Sequence, residues 1–376
     1  KLDPDLRYNE LMAGLDQLDV IQPVHELWKL RDLVGANEDL EYRVTSYADG
    51  TADAFMAAVQ TEHPEFHAAF EEFLSRFYYR AEVELDISVP RWSENPDFVI
   101  SSLKALVKNG DPVRRPEVSE NRKHQIFEEA LARAERAFEK GGVFTRLGRK
   151  AFHAKLERLR RYAWLREEMR DRSTRTYFFL RRFALECGRR LNERMPGAVK
   201  SENDIFYLEF TEIARALSQE MTEKEAASLI EIRRLYADGY RNYRNPNEIG
   251  ARWNAGAAKA SNILAPKNAK SWSGIACSTG VVRGRARVVR NLKEAGKLEK
   301  GDILIAPFTD PGWTPLFSIV SGVVTETGGL LSHAALISRE YAMPAVLNIP
   351  GATGFIRDGQ EIVVDGRTGT VHLVEA

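Results

Sequence analysis

The sequence predicts a multidomain protein in which an all-α region is followed by a smaller β/α domain. Fourteen of the 26 glycines fall within residues 273–376, and the preceding 272 residues contain the other twelve. Glycine-dense sequence with short β-branched runs is typical of strands and turns, whereas glycine-poor, charged sequence favours helices. We therefore assign residues 1–244 to a mainly helical domain, 245–272 to a linker and 273–376 to the β/α domain.

Composition and charge exclude several classes of protein. The 376 residues are 44% hydrophobic, enough for ordinary cores, and the formal net charge is zero. A nucleic-acid partner is not expected, because such binders carry a strong positive excess. No run approaches the ~18 apolar residues of a membrane span. Cys187 and Cys277 form neither a metal-ligand spacing nor a disulfide framework, so we expect a cytoplasmic protein. The chain begins with Lys1, as a fragment of a longer protein would.

Apolar residues at helical spacing support the helical assignment. From about residue 118 to 195 the chain contains no proline and predicts two or three long antiparallel helices. Three runs place apolar residues at helical intervals: Phe127, Ala130, Leu131, Ala134 and Phe138; Leu156, Leu159, Tyr162 and Leu165; Leu180, Phe183, Ala184 and Cys187. The many arginines of this stretch fit a solvated face. The alternative is that some of them line an anionic or phosphate site.

Residues 80–92 interrupt the helical pattern and end in a Pro-Arg-Trp turn. Charged and apolar residues alternate there, which indicates a loop fixed beside the helices. Glu84, Asp86 and Arg91 could hold one another structurally or could face a substrate, and the sequence leaves both possibilities open. Residues 245–270 are rich in small, polar and helix-breaking residues, which is typical of a mobile linker.

The C-terminal region alternates short apolar runs with turns. Strands are predicted at residues 280–289, 302–306, 319–325 and 344–347, with a hairpin over 361–373. One helix is predicted from Ser332 to about Tyr341.

The segment before this helix carries the most specific functional signal. Gly328 and Gly329 turn the chain after a strand, and Ser332 is a natural helix N-cap, which places His333 in the first turn. Free backbone N–H groups and the positive end of the helix dipole face outward there. This setting suits a phosphoryl group attached to the imidazole, and the glycines let the backbone approach it closely.

Further phosphate ligands can be proposed around His333. Thr309 and Thr327 could donate hydroxyl hydrogen bonds, and the long side chain of Arg339 could bring its charge near. The alternatives are a histidine that only caps a helix, a metal ligand or part of a serine-type triad. A metal site is disfavoured because His333 has no histidine or cysteine at ligand spacing, and a triad because Ser332 adjoins it in sequence.

This segment resembles the phosphohistidine swivelling domain of the phosphoenolpyruvate-utilising (PEP-utilising) enzymes, over residues 274–376. The likeness includes the Gly-Gly-Leu-Leu-Ser-His-Ala-Ala string, residues 280–286 and residues 341–346. The resemblance implies that His333 is a phosphate carrier on a mobile domain.

Within that family, the chain is most similar to the rifampicin phosphotransferases and phosphoenolpyruvate synthases. Residues 309–317 carry this likeness, and a looser one in residues 84–92 and 202–208 extends it over the helical region. The resemblance implies that the helical domain binds substrate, with Arg80, Glu84, Asp86 and Arg91 as candidate contacts. Tyr79 replaces the histidine of the Gly-His-Arg-Gly motif of the antibiotic-modifying members, so the resemblance does not fix a rifamycin as the acceptor.

The ATP-grasp domain that loads the histidine in this family has no counterpart in the sequence. ATP and Mg²⁺ are therefore expected on an ATP-grasp domain or subunit outside this chain. The resemblance implies an ATP-dependent phosphotransferase component, in which His333 carries a phosphoryl or pyrophosphoryl group to a small-molecule acceptor held by the helical domain. The alternatives are a non-catalytic phosphocarrier subunit of a split synthase or condensing enzyme, and a regulatory protein with a degenerate carrier domain.

Overall fold

The computed structural model describes residues 6–15, 18–240 and 270–374. The helices are α1 (Tyr8–Leu11), α2 (Gln22–Gly35), α3 (Glu38–Thr45), α4 (Ala52–Glu62), α5 (Pro64–Arg76), α6 (Asp97–Asn109), α7 (Pro116–Lys140), α8 (Val143–Arg194), α9 (Phe210–Leu217), α10 (Glu223–Tyr240), α11 (His333–Glu340) and α12 (Ala352–Phe355). The strands are β1 (Ser271–Ser273), β2 (Ile275–Ser278), β3 (Val281–Val288), β4 (Ile303–Ala306), β5 (Gly322–Thr325), β6 (Ala345–Leu347), β7 (Glu361–Asp365) and β8 (Thr370–Leu373). Short 3-10 segments cover Pro112–Arg114, Glu202–Tyr207, Leu292–Lys297 and Pro311–Ser318. This arrangement confirms a helical region followed by a β/α region.

The proline-free stretch forms two long helices, α7 and α8. Pro116 lies in the first turn of α7, where its missing N–H costs no hydrogen bond, and α8 continues for 52 residues. The first apolar run lies on α7, where Ala130, Ala134 and Phe138 are buried.

Most apolar residues of the second and third runs, which lie on α8, are exposed. Leu156 and Cys187 are buried, but exposed side chains make up most of the two runs: Leu159, Tyr162, Leu165, Leu180 and Phe183. Helical periodicity identifies residues that share a face, but it does not determine whether another element covers that face.

The described residues cluster into two compact units. Unit 1 takes its residues from Lys1–Val83, Arg91–Arg172 and Asn254–Ala376, and unit 2 from Glu84–Pro90 and Ser173–Trp253. Helices α1 to α7 therefore belong to the same unit as the C-terminal sheet. The domain boundaries drawn from composition stay a prediction. The predicted linker lies outside the described residues up to position 269, and its last two residues belong to β1.

The C-terminal part of unit 1 contains a mixed eight-stranded sheet with the order β1-β8-β7-β3-β4-β5-β6-β2. Strands β3 to β6 pair in parallel, and the other pairings are antiparallel. Strands β4 and β5 are buried along their whole length, as expected for the centre of a parallel sheet. The predicted strands and the hairpin are confirmed, whereas the sequence analysis missed β1 and β2.

A single glycine separates the two outermost strands of this sheet. Strands β1 and β2 lie at opposite ends of the strand order, yet only Gly274 stands between them. One short segment of chain therefore supplies the strands at both ends of the sheet. An added Cβ at Gly274 would lie 2.4 Å from the carbonyl oxygen of Leu347, so this crossing requires glycine.

Helix α11 lies between the sheet and the helices of unit 1, and all eight of its residues are buried. One hydrophobic cluster joins Leu336 and Ile337 of α11 to helical residues such as Leu18 and Phe70. The first residue of α11 therefore faces the interior of unit 1.

Unit 2 has a separate small core, whose buried members include Leu191, Val199, Ile205, Ala216, Ala226 and Ile230. No helix in the described ranges is both long enough and apolar enough to cross a membrane.

Candidate functional site

The start of α11 is built as the sequence predicts. Gly328, which follows β5, has a φ of +128°, in the region that side chains with a Cβ rarely adopt. Ser332 is the N-cap, and its hydroxyl accepts a hydrogen bond from the Ala335 backbone N–H at 3.4 Å. His333 is therefore the first residue of the helix.

The imidazole of His333 is almost fully enclosed, with 4% of its surface exposed. Its Nε2 lies 3.4 Å from Oγ1 of Thr314, and its ring meets Phe317 edge-on at 6.2 Å between centroids. The Thr314 hydroxyl donates to the Pro311 carbonyl at 2.6 Å, so its oxygen is free to accept from Nε2–H. Among the described residues, Nδ1 has no hydrogen-bond partner.

The surroundings of His333 favour the neutral imidazole. Burial lowers the pKa of His333 well below its ordinary value of 6.5, and the positive charges of Arg170 and Arg80 lower it further. A neutral ring keeps a lone pair on one nitrogen, which is the form that can bond to phosphorus. Two nearby guanidinium groups would also attract a phosphoryl group.

Arg80 is held rigidly beside this histidine. Its side chain is buried and forms an ion pair with Asp171 of α8. The Tyr79 hydroxyl donates to both carboxylate oxygens of Asp171 at 3.0 Å, and Arg80 also donates to the Asp19 carbonyl at 3.2 Å. Tyr79, which departs from the family motif, therefore orients the carboxylate that holds Arg80.

Arg170 reaches the site from α8 and bonds to the segment that carries Thr314. Its Nη2 donates to Oδ1 of Asp310 at 3.0 Å, and about a third of its side chain is exposed. In the sequence, Arg170 is one of several arginines of α8 that fit either a solvated face or a phosphate site, and nothing there singles it out. The proposal that some of these arginines line a phosphate site was the available signal.

The predicted phosphate ligands differ in their present hydrogen bonds. Thr309 is buried, and its hydroxyl has no partner among the described residues, so it can still donate. Thr327 already donates to the Pro307 carbonyl at 3.1 Å. Nothing lies within 4 Å of an added Cβ at Gly329, so this position leaves open space beside the backbone.

Arg339 lies at the other end of α11 from His333. It is buried, its Nη1 donates to the Cys277 carbonyl at 3.2 Å, and burial lowers its pKa. The nearby cations that depress the pKa of His333 are Arg170 and Arg80. The phosphate-binding role of Arg339 stays a prediction.

The remaining predicted substrate contacts are divided between the two units. Glu84 and Asp86 belong to unit 2, where buried Glu84 accepts from the Thr174 hydroxyl at 3.3 Å. Exposed Asp86 accepts from the backbone N–H and hydroxyl of Ser88. Arg91 belongs to unit 1 and is fully buried. Their substrate-binding roles stay predictions.

One group of side chains in the described ranges could place three ligand atoms around a metal ion: Asp39, Glu62 and His63. Glu62 also forms an ion pair with Arg43, and His63 contacts Asp39 at 2.9 Å. These existing contacts account for the cluster, and we assign no metal to it.

Two family models match separate segments of the chain. The profile of the rifampicin phosphotransferase fourth domain matches residues 1–167, and that of the PEP-utilising enzyme mobile domain matches residues 298–369. The second match contains the whole of the His333 segment.

Three curated relatives cover most of the chain. Rifampicin phosphotransferase of Streptomyces sviceus is 32% identical over 96% of this chain and 39% of its own length. Rifampicin phosphotransferase of Bacillus subtilis is 32% identical over 81% of this chain and 34% of its own length. The prodigiosin synthesizing transferase PigC of Serratia marcescens is 30% identical over 97% of this chain and 40% of its own length.

The chain thus spans between 34% and 40% of the length of these relatives. The matched domains and the similarity over most of the chain confirm the resemblance seen in the sequence. The chain contains domains of the PEP-utilising enzyme family and is a homologue of the rifampicin phosphotransferases.

Proposed function

We propose that this chain is the carrier and acceptor-binding part of an ATP-dependent phosphotransferase, with His333 as the covalent phosphate carrier. The observation that carries the proposal is the environment of His333: a neutral, buried imidazole at a helix N-terminus, close to the charges of Arg80 and Arg170. The names of the relatives support phosphotransfer or a related transfer reaction.

In the loading step, the lone pair of an imidazole nitrogen attacks phosphorus of ATP. The N–P bond forms as a P–O bond breaks, and the nucleotide leaves with the electron pair. In the delivery step, an acceptor oxygen attacks the same phosphorus, its proton is released to solvent, and the electron pair of the broken N–P bond returns to imidazole. A covalent intermediate divides one difficult transfer into two easier ones.

The two arginines would act by positioning and by charge. A phosphoryl group on His333 would carry negative charge next to two guanidinium groups, which stabilise the transferring group most when they are already held in place. Arg80 meets that condition through its ion pair with Asp171. The hydroxyl of Thr309, which has no partner in the described part of the chain, is a further candidate donor.

The described arrangement suits phosphate transfer from His333 to an acceptor better than transfer from ATP to His333. His333 faces residues of the helical region, and its ring is too enclosed for a bulky nucleotide to reach. We therefore place ATP and Mg²⁺ on an ATP-grasp domain or subunit that meets His333 in another arrangement, as the resemblance implies. The acceptor would bind on the helical side of His333.

The test is the intact mass of this chain after incubation with ATP, with and without an ATP-grasp protein from the same organism. We expect an acid-labile phosphoryl or pyrophosphoryl adduct that needs the ATP-grasp protein. His333→Ala should abolish it, and the matched variant His372→Ala, in an exposed β8 position, should retain it.

Three other outcomes would contradict the proposal in whole or in part. An adduct that persists in His333→Ala would overturn the carrier role, as would no adduct with an ATP-grasp protein shown to be active. An adduct formed without any partner would confirm the carrier and refute the external ATP site.

A further inference from the structure

Glu340, the last residue of α11, forms a buried ion pair with Lys123 of α7. The distance from Lys123 Nζ to Glu340 Oε2 is 2.8 Å, and the two side chains are 3% and 2% exposed. The other carboxylate oxygen accepts the backbone N–H of Leu15 at 3.1 Å. Both oxygens of Glu340 are therefore held by residues of the helical region, within unit 1.

Local helix energetics do not explain a carboxylate at this position. The C-terminal end of a helix carries a partial negative charge, which disfavours Asp and Glu in the last turn. The contact with Lys123 compensates for that repulsion. The pairing across unit 1 is thus the physical reason for Glu340 at the end of α11.

The pair lies on the same short helix as the phosphate carrier. His333 and Glu340 are the two ends of α11, and seven residues of α helix span about 10 Å. A rigid helix of this length transmits the position of one end to the other. Fixing Glu340 against α7 therefore fixes the direction in which His333 points.

We propose that Lys123 and Glu340 are positioning residues whose ion pair seats α11 against α7 and keeps His333 facing the acceptor side. This inference deepens the proposed function and rests on it for the role of His333. A buried ion pair suits a contact that must form and separate, because water solvates both charges when the surfaces part. Such a pair fixes one position of α11 on α7, but it contributes less net binding free energy than an apolar contact would.

Neighbouring contacts define the same seating through the backbone. Arg114 donates to the carbonyl of Tyr341 at 2.9 Å, directly after α11, and to that of Ser321 at 3.3 Å. The two carbonyl groups carry no formal charge. The Lys123–Glu340 pair, in contrast, requires opposite charges on α7 and α11.

The experiment measures how fast diethyl pyrocarbonate modifies His333, by mass spectrometry of its peptide, with exposed His372 as an internal rate standard. Lys123→Met and Glu340→Gln should each raise the rate at His333 roughly tenfold or more, because a buried charge left without its partner disfavours the seated state. The double variant Lys123→Met with Glu340→Gln should return the rate towards the wild-type value, because no buried charge then remains unpaired and the glutamine oxygen can still accept from the Leu15 N–H.

Arg283→Gln is the matched control, since it removes one charge of an exposed pair with Glu361 in the same sheet. It should leave the rate at His333 unchanged. The proposal is overturned if neither single variant raises the rate, if Arg283→Gln raises it equally, or if the double variant stays as reactive as the single ones. The reagent reports access to the ring whatever chemistry the ring performs, so this result is independent of the ATP test.

Discussion

The neutral state of His333 depends first on burial and then on two cations. Burial disfavours a charged ring, and Arg170 and Arg80 add repulsion between like charges. The same two charges that keep the free imidazole neutral would attract a phosphorylated one. The two arginines therefore destabilise a protonated ring but would stabilise a ring that carries phosphate.

Removing one of these cations should raise the pKa of His333. Arg170→Gln is the better variant, because Arg170 is partly exposed, whereas Arg80 is buried in an ion pair with Asp171. The pKa should rise but stay below its ordinary value, since burial is unchanged. An NMR titration of the His333 ring proton measures it.

Arg172→Gln provides the control for this titration. Arg172 lies two positions further along α8 and is exposed, and its charge is not among those that act on His333. The electrostatic account fails if Arg170→Gln leaves the pKa of His333 unchanged or lowers it.

At the scale of single residues, the sequence predicted the parts of the site that are close in the chain. His333, its cap Ser332 and the glycine turn follow from a local motif. Thr314 and Arg170 could not be found in this way, because tertiary packing brings them to His333 from 19 and 163 positions away. Local signals contain no information about such pairings.

Among the secondary-structure elements, α8 contains two glycines in different surroundings: Gly188 is closely packed, and Gly148 is not. An added Cβ at Gly188 would lie 2.3 Å from the carbonyl oxygen of Glu202, within unit 2, whereas Gly148 has nothing within 4 Å. The helix approaches the 3-10 segment closely at the first position only. Glycine is therefore required at Gly188 and is merely tolerated at Gly148.

Alanine at these two positions should have opposite effects on stability. Gly188→Ala should destabilise the protein by about 1–3 kcal/mol, because a backbone carbonyl cannot move aside easily. Gly148→Ala should stabilise it by about 0.5–1 kcal/mol, through the lower backbone entropy of alanine in the unfolded chain. Midpoints of urea unfolding compare the two variants, and similar effects of both would contradict the close approach at Gly188.

The elements of the sheet were predicted better than the faces of the long helix. Strands β3 to β8 have apolar runs bounded by turns, a signal contained within each segment. Strands β1 and β2 are three and four residues long, too short to show a pattern. The exposed side chains of α8 show that a helix can carry apolar residues on faces that no described element covers.

For the whole molecule, the depressed pKa of His333 makes folding sensitive to acid. The unfolded chain binds a proton near pH 6.5, whereas the folded protein binds it only at lower pH. The contribution to stability is therefore complete above about pH 6.5 and is lost as the pH falls towards the folded-state pKa. The loss is at most about 1.4 kcal/mol per pH unit for one proton.

His333→Asn should make stability less dependent on pH between about pH 7 and 5.5, because it removes this proton-linked loss. Free energies of unfolding in urea at several pH values measure the slope. His25, whose pKa burial also lowers, remains in both proteins and supplies a residual slope. Equal slopes in the two proteins would show that His333 has the same proton affinity folded and unfolded.

The crossing at Gly274 determines which strands form the edges of the sheet. The outermost strands of an open sheet present unpaired N–H and C=O groups, which invite strand addition by another molecule and lead to aggregation. Here one segment, crossing at Gly274, supplies β1 to one end of the sheet and β2 to the other. These two outermost strands are only three and four residues long, so each offers a neighbouring molecule a short edge for strand addition.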